Sequence, residues 1–188
     1  MKQLKLIKSQ KTEYGGSLLK TRKGRAHGRP LGTKNSMHIV LRSSLAKGEW
    51  SMKRRKNEKL IESYIGKFAH KYGVRVHSSA NVGNHLHLHI QLANRHAYRP
   101  FIRALTGAIA MAITGFSRWK KAPKGFQFWD YRPYSRVVFG WRGFTTLRSY
   151  VEQNQREGLG YPEDIADNLK QEFTWVDYAA EGIDLDTA

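Results

Sequence analysis

The chain has 188 residues and carries 33 Lys and Arg against 15 Asp and Glu, a formal net charge of +18. That length suits one domain with a sizeable core plus terminal extensions, and 40% apolar content with 12% aromatics excludes wholesale disorder. There is no cysteine, which excludes disulfides, zinc ribbons and thiol catalysis.

The charge is uneven. Residues 1–150 hold 31 of the Lys and Arg and 5 of the Asp and Glu, a net +26, whereas residues 151–188 carry a net −8. A body this basic is expected to meet a polyanion, and nucleic acid is the usual one. Residues 1–36 read as a basic arm, with Lys20-Thr-Arg-Lys-Gly-Arg25 and Gly28-Arg29-Pro30 and no sustained periodicity. Such an arm suits phosphate contacts, and Arg29 in its Gly-Arg-Pro setting also suits a narrow minor groove.

Order is expected from about Met37, and the domain from 37 to 160. His38–Arg42 reads as a first strand. Residues 53–72 read as a helix, with Leu60, Ile61, Tyr64, Ile65 and Phe68 at helical spacing and Gly73 just past its end. Val74–Ser78 is a second strand, 79–84 a turn and His85–Leu92 a third strand. The hairpin pair formed by the second and third strands is expected at the sheet centre. Pro100 sits in the first turn of an apolar helix running to Thr114, whose small face (Ala104, Gly107, Ala108, Met111) suits close packing on a sheet. Lys120–Gly125 is a loop, Ser135–Phe139 a fourth strand, and Thr145–Arg156 a helix that ends at Gly158. A further helix over 162–175, started by Pro162, leads into an acidic tail, so 161–188 forms a C-terminal unit. The order β-α-β-β-α-β-α predicts an α+β, ferredoxin-like fold with two helices on one face of an antiparallel sheet. The longest apolar stretch, Ala104–Ile113, is too short to span a bilayer, and nothing reads as a signal peptide, so a soluble intracellular protein is expected.

Asn84-His-Leu-His-Leu-His-Ile90 carries the most chemistry. On a strand, His85, His87 and His89 project from one face and Leu86, Leu88 and Ile90 from the other. Three structural histidines are the bland reading; a divalent metal is the sharper one, because neutral imidazoles on one strand are already aimed together. Downstream, Tyr150 and Asn154 lie four apart and share a helix face, which Gln153 can join. Brought against the histidine strand, two imidazoles and an amide oxygen would hold a divalent ion with a phenol beside it. A mixed nitrogen and oxygen set favours Mg²⁺ or Mn²⁺.

Basic residues also interleave with aromatics. Lys120, Lys121, Lys124, Arg132, Arg136, Trp141 and Arg142 fall within 118–142, a composition suited to unpaired bases stacking while cations track phosphates. A second run, Lys53, Arg54, Arg55 and Lys56, opens the first helix, where cations oppose the helix dipole and a bound phosphate would relieve them.

Asn84-His-Leu-His-Leu, His38 in a first strand, Trp129-Asp-Tyr-Arg-Pro-Tyr-Ser-Arg-Val-Val138, and Tyr150 with Asn154 together resemble the single-tyrosine HUH transposases, in particular the REP-associated tyrosine branch, over residues 36–160. The resemblance implies a ferredoxin-like sheet with the histidine pair on a central strand. It also implies metal-dependent cleavage and rejoining of single-stranded or hairpin DNA through a covalent 5′-phosphotyrosine, on the nucleoid of a bacterial cytoplasm. It makes His85 and His87 metal ligands, Tyr150 the nucleophile and Asn154 the third ligand, with His89 and Gln153 as second-layer candidates. Both monomers and homodimers with shared sites occur in the family.

The chain departs from that pattern at His89, where an apolar residue is usual, and at Gln155, where the REP-associated branch commonly has Pro. The rival expectations are a structured-DNA nuclease or binder without mobility, and a non-catalytic RNA-binding protein, which the charge alone would permit.

Overall fold

A computed structural model describes Tyr14, Gly15 and residues 29–158. Five strands, β1 (Tyr14–Gly15), β2 (Ser36–Arg42), β3 (Val74–Asn81), β4 (His85–Leu92) and β5 (Tyr134–Val138), form one antiparallel sheet in the order β1-β5-β2-β4-β3. Three helices complete it: α1 (Arg55–Tyr72), α2 (Tyr98–Thr114) and α3 (Gly140–Gly158). The fold is α+β, as expected from sequence, with the two-residue β1 added ahead of the expected elements and β4 in an interior position beside β2.

Alternation in β2 and β4 sorts the two faces. Met37, Ile39 and Leu41 lie opposite Ile90, Leu88 and Leu86, and all six are buried in one cluster with Ile61, Ile65 and Ala69 of α1 and Phe101, Leu105 and Ile109 of α2. Each fully buried Leu or Ile there contributes roughly 1.5–3 kcal/mol of burial. Gly73 closes α1 with a left-handed cap (φ 62°), its N–H donating to the carbonyls of Ala69 and His70, so the chain turns directly into β3. The opposite face is covered by α3, through Leu147 and Val151 packed with Ala80 and Val138. This places β4's histidines between sheet and helix.

Five expectations are corrected. The second strand continues to Asn81 and lies at the sheet edge, so only the third of the expected strands is interior. On α2 the expected small face is not buried, with Gly107 and Met111 exposed and Ala104 and Ala108 half-buried. The sheet is met instead by Phe101, Ile102, Leu105, Ile109 and Ile113, whose larger apolar areas gain more from burial.

Order precedes Met37. Leu31 packs on the core, its carbonyl accepts from Arg95 Nε (3.2 Å), Gln91 Nε2 donates to Thr33 O, and Tyr14–Gly15 adds an edge strand to β5. The last helix begins at Gly140, five residues earlier than expected. The helix expected over 162–175 and the acidic tail lie outside the described residues. Among the described residues, no helix is long and apolar enough to cross a membrane.

Candidate active site

Tyr150, on the inner side of α3, sets its ring edge-on against two imidazoles. Its centroid lies 5.8 Å from that of His38 and 5.8 Å from that of His87, with interplanar angles of 79° and 78°. The phenol and His87 of the histidine strand thus meet within a single chain. This follows from the register: His87 faces α3 from β4, and β2 brings His38 to the same face because it alternates with Met37 and Ile39.

The first two histidines of β4 are held by their Nδ1 atoms. His85 Nδ1 lies 2.7 Å from Asn84 Oδ1, and His87 Nδ1 lies 3.2 Å from His38 Nε2. The ring centroids of His85 and His87 are 6.3 Å apart. Burial, then the neighbouring His85, pushes His87 down to about 4. Burial and then Arg42 lower His85, with Asp130 opposing. His38 falls well below the usual histidine value, through burial first and then His87, His89 and Arg136. All three imidazoles are neutral at pH 7, the form that ligates metal.

This donor set fits a divalent cation. Nδ1 of His85 faces Asn84 and Nδ1 of His87 faces His38, so Nε2 is the nitrogen that each ring could turn to a ligand. Asn154 Nδ2 donates to the Tyr150 carbonyl at 2.8 Å, which leaves its side-chain oxygen. Among the described residues no group of three His, Cys, Asp or Glu could hold a metal ion. A cation bound here would thus rest on two imidazoles and fill its shell from amide, substrate or water oxygens.

The other expected site residues are placed variously. His89 is fully buried, and among the described residues neither of its ring nitrogens has a hydrogen-bond partner. It packs between His77 (4.9 Å) and Phe144 (4.6 Å) instead of against the phenol, and burial followed by His77 and Arg148 lowers it to about 4. Gln153 Nε2 donates along the helix to Glu157 Oε1 (3.3 Å).

Arg29 turns inward, donating to Ser135 Oγ and lying over the Tyr98 ring at 5.2 Å. At the start of α1, Lys53 pairs with Glu58 (3.0 Å) and Arg54 with Glu49, so carboxylates of the chain itself relieve the dipole conflict for which a phosphate was expected. Arg55 is exposed. Arg136 is half-buried beside His38 on β5. Lys120, Lys121, Lys124, Arg132 and Arg142 are exposed, as are Trp119 and Trp141, the latter stacked on Phe144 at 5.5 Å and 8°.

Sequence reading assigned no role to His38 beyond its place in the motif order. The available signal was its alternation with Met37, Ile39 and Leu41, which sets it on the histidine face.

Residues 33–154 match the family described as Transposase IS200 like, which sets the chain among transposases, enzymes that process DNA. The chain belongs to the IS200-like transposase family. Its fold is similar to that of a solved REP-associated tyrosine transposase bound to a REP hairpin, with a TM-score of 0.53 at 10% identity over 87% of this chain and 96% of that one. A second solved structure, of a candidate transposase from Deinococcus radiodurans R1, aligns at a TM-score of 0.41 and 17% identity over 72% of this chain and 98% of that one. No curated protein matches the chain.

Proposed function

We propose that this transposase is a DNA strand transferase that cleaves and rejoins single-stranded DNA beside hairpins through a covalent 5′-phosphotyrosine on Tyr150. One observation carries the reading: the Tyr150 ring lies edge-on against His87 of the histidine strand, within the same chain. His85, His87 and Asn154 would hold Mg²⁺ or Mn²⁺. The ion when bound offsets the charge that develops on the phosphate oxygens.

The chain's own residues then account for the step. The Tyr150 oxygen forms a bond to phosphorus as the bond to the 3′ oxygen of the preceding nucleotide breaks; that oxygen leaves and ends as a 3′ hydroxyl. The phosphodiester's energy is kept in the tyrosyl ester, so a second 3′ hydroxyl can reverse the reaction and join a new strand. The phenol must lose its proton, and an ordinary tyrosine, with a pKa near 10, is about one part in a thousand ionised at pH 7. Helix α3 fixes the phenol's approach, and burial of the face beneath it keeps the imidazoles uncharged. The exposed cations of 118–142 supply phosphate contacts and Trp119 and Trp141 supply stacking surfaces, features suited to unpaired DNA.

The test is incubation with single-stranded hairpin oligonucleotides and Mn²⁺ or Mg²⁺, followed by denaturing electrophoresis and mass spectrometry of the adducted peptide. Adduct on the Tyr150 peptide supports the reading. Adduct on Tyr131 or Tyr134 overturns the assignment of the nucleophile, and no adduct with any hairpin favours a non-catalytic binder.

A further inference from the structure

His38 is buried on β2 with Nε2 3.2 Å from His87 Nδ1. A hydrogen bond between two neutral imidazole nitrogens holds one proton, so one ring donates and the other accepts. If His38 donated, the proton of His87 would sit on Nε2 and block that nitrogen from any cation. If His87 donates from Nδ1, its Nε2 lone pair is free, and His38 keeps its own proton on Nδ1.

The neighbouring ring decides between these. Asn84 Oδ1 can only accept, so His85 must carry its proton on Nδ1, 2.7 Å away. His85 therefore offers its lone pair at Nε2, and with His87 Nδ1 facing His38 an ion shared by the two rings needs the His87 lone pair at Nε2 as well. The His38 ring is itself fixed, lying nearly parallel to His87 (centroids 5.4 Å, 18°) and edge-on to Tyr150 (5.8 Å).

We propose that His38 is a positioning residue: by accepting the Nδ1 proton of His87, it holds that ring in the tautomer and orientation that present Nε2 to the divalent ion. This rests on the metal-site reading above. His38 touches the phenol as well, so the same side chain orients both the ligand and the nucleophile.

Three full-length chains test it: the unsubstituted protein, His38→Leu, which keeps bulk without an acceptor, and His38→Gln, whose side-chain oxygen reaches about as far as the imidazole Nε2. Mn²⁺ binding is measured by calorimetry and electron paramagnetic resonance in the absence of DNA, and histidine tautomers by ¹⁵N NMR. Outer partners of metal-bound histidines typically contribute about 10–100-fold to affinity, and His38→Leu is expected to lose that much. His38→Gln is expected to recover most of it, which a purely space-filling role would not predict.

Unchanged Mn²⁺ affinity in a folded His38→Leu, or His87 protonated on Nε2 in the unsubstituted chain, overturns the proposal. Should His38→Leu fail to fold, the NMR tautomer and the His38→Gln affinity carry the test. An unsubstituted chain that takes up no Mn²⁺ overturns the metal reading and the role of His38 with it. A chain that binds Mn²⁺ equally well with or without the acceptor removes only His38.

Discussion

Gln155 reaches from the last turns of α3 to β3, where its side-chain oxygen accepts the backbone N–H of Asn81 at 2.9 Å. Asn81 is itself tied down, its Nδ2 donating to Met52 O (2.8 Å) and its Oδ1 accepting from Gly83 N–H (3.1 Å). Gly158 completes the fastening. A Cβ at that position would lie 2.7 Å from the Asn81 carbonyl and 3.0 Å from Lys53 Cε, so the helix end sits against backbone at a distance only glycine permits. The helix that carries Tyr150 is thus pinned beyond the tyrosine as well as by Leu147 and Val151.

This fastening predicts that Gln155→Leu and Gly158→Ala loosen α3 before they unfold the protein. Loss of a partner for a part-buried N–H costs about 1–3 kcal/mol. Amide exchange across residues 150–158 is expected to accelerate in both variants, while exchange in β2 and β4 stays slow. Equal acceleration in sheet and helix would show that α3 does not open separately. Adduct formation is expected to fall in parallel with the loss of α3 protection.

Tyr150→Phe is expected to abolish the covalent adduct with little change in DNA affinity, because the ring contacts with His38 and His87 are kept. His87→Ala is expected to remove both adduct and Mn²⁺ binding. A Tyr150→Phe chain that still attaches to DNA would exclude this tyrosine as the nucleophile.

The histidine face sets a pH dependence. Histidine in an unfolded chain titrates near 6.5, whereas His87 and His89 are lowered to about 4 by burial in the folded state. Above pH 6.5 both states are neutral there and stability does not vary with these groups. Between 6.5 and about 4 the unfolded chain takes up protons that the folded chain refuses, so stability falls as pH falls. The loss is complete once pH passes below the folded value, and each of these two histidines contributes on the order of 3 kcal/mol.

His38, His85 and His77, lowered in the same direction, add to the loss. Urea midpoints at pH 7, 6, 5 and 4 are expected to decline, and His89→Phe, which fills the space between His77 and Phe144 with a ring that cannot charge, is expected to flatten the decline. A midpoint constant from pH 7 to 4 would show that these imidazoles are not held neutral.

Much of this was legible because alternation is local. Reading every second residue of 85–90 separates Leu86, Leu88 and Ile90, which enter the main core, from the histidines that face α3. What escaped depends on contacts between segments distant in the chain. Nothing around Tyr14 announces that it pairs with Arg136 on β5, and nothing around Lys53 shows that Glu58 and the docked end of α3 surround it. That the small face of α2 is not the buried one had a local signal in the larger residues on its other side, and weighing area against closeness of approach would have found it. The bond from His38 to His87 joins residues 49 apart, and only the sheet register brings them together.

The loop between α2 and β5 offers the remaining test, through its exposed Lys120, Lys121 and Lys124 and its Trp119, 89% exposed. Cations and aromatics contribute to single-strand binding in separable ways. Neutralising a phosphate releases counterions, with a slope of about −0.7 per contact in log affinity against log salt, so replacing all three lysines with Ala is expected to reduce the slope by about 2. Stacking releases no counterions. Trp119→Ala is expected to weaken binding by about 1–3 kcal/mol with the slope unchanged. Affinities for one hairpin oligonucleotide at four salt concentrations distinguish the two effects. If neither set of substitutions alters affinity, the loop is not a DNA surface. If both do, but adduct yield at saturating DNA is unchanged, the loop binds substrate while α3 and the sheet perform the chemistry.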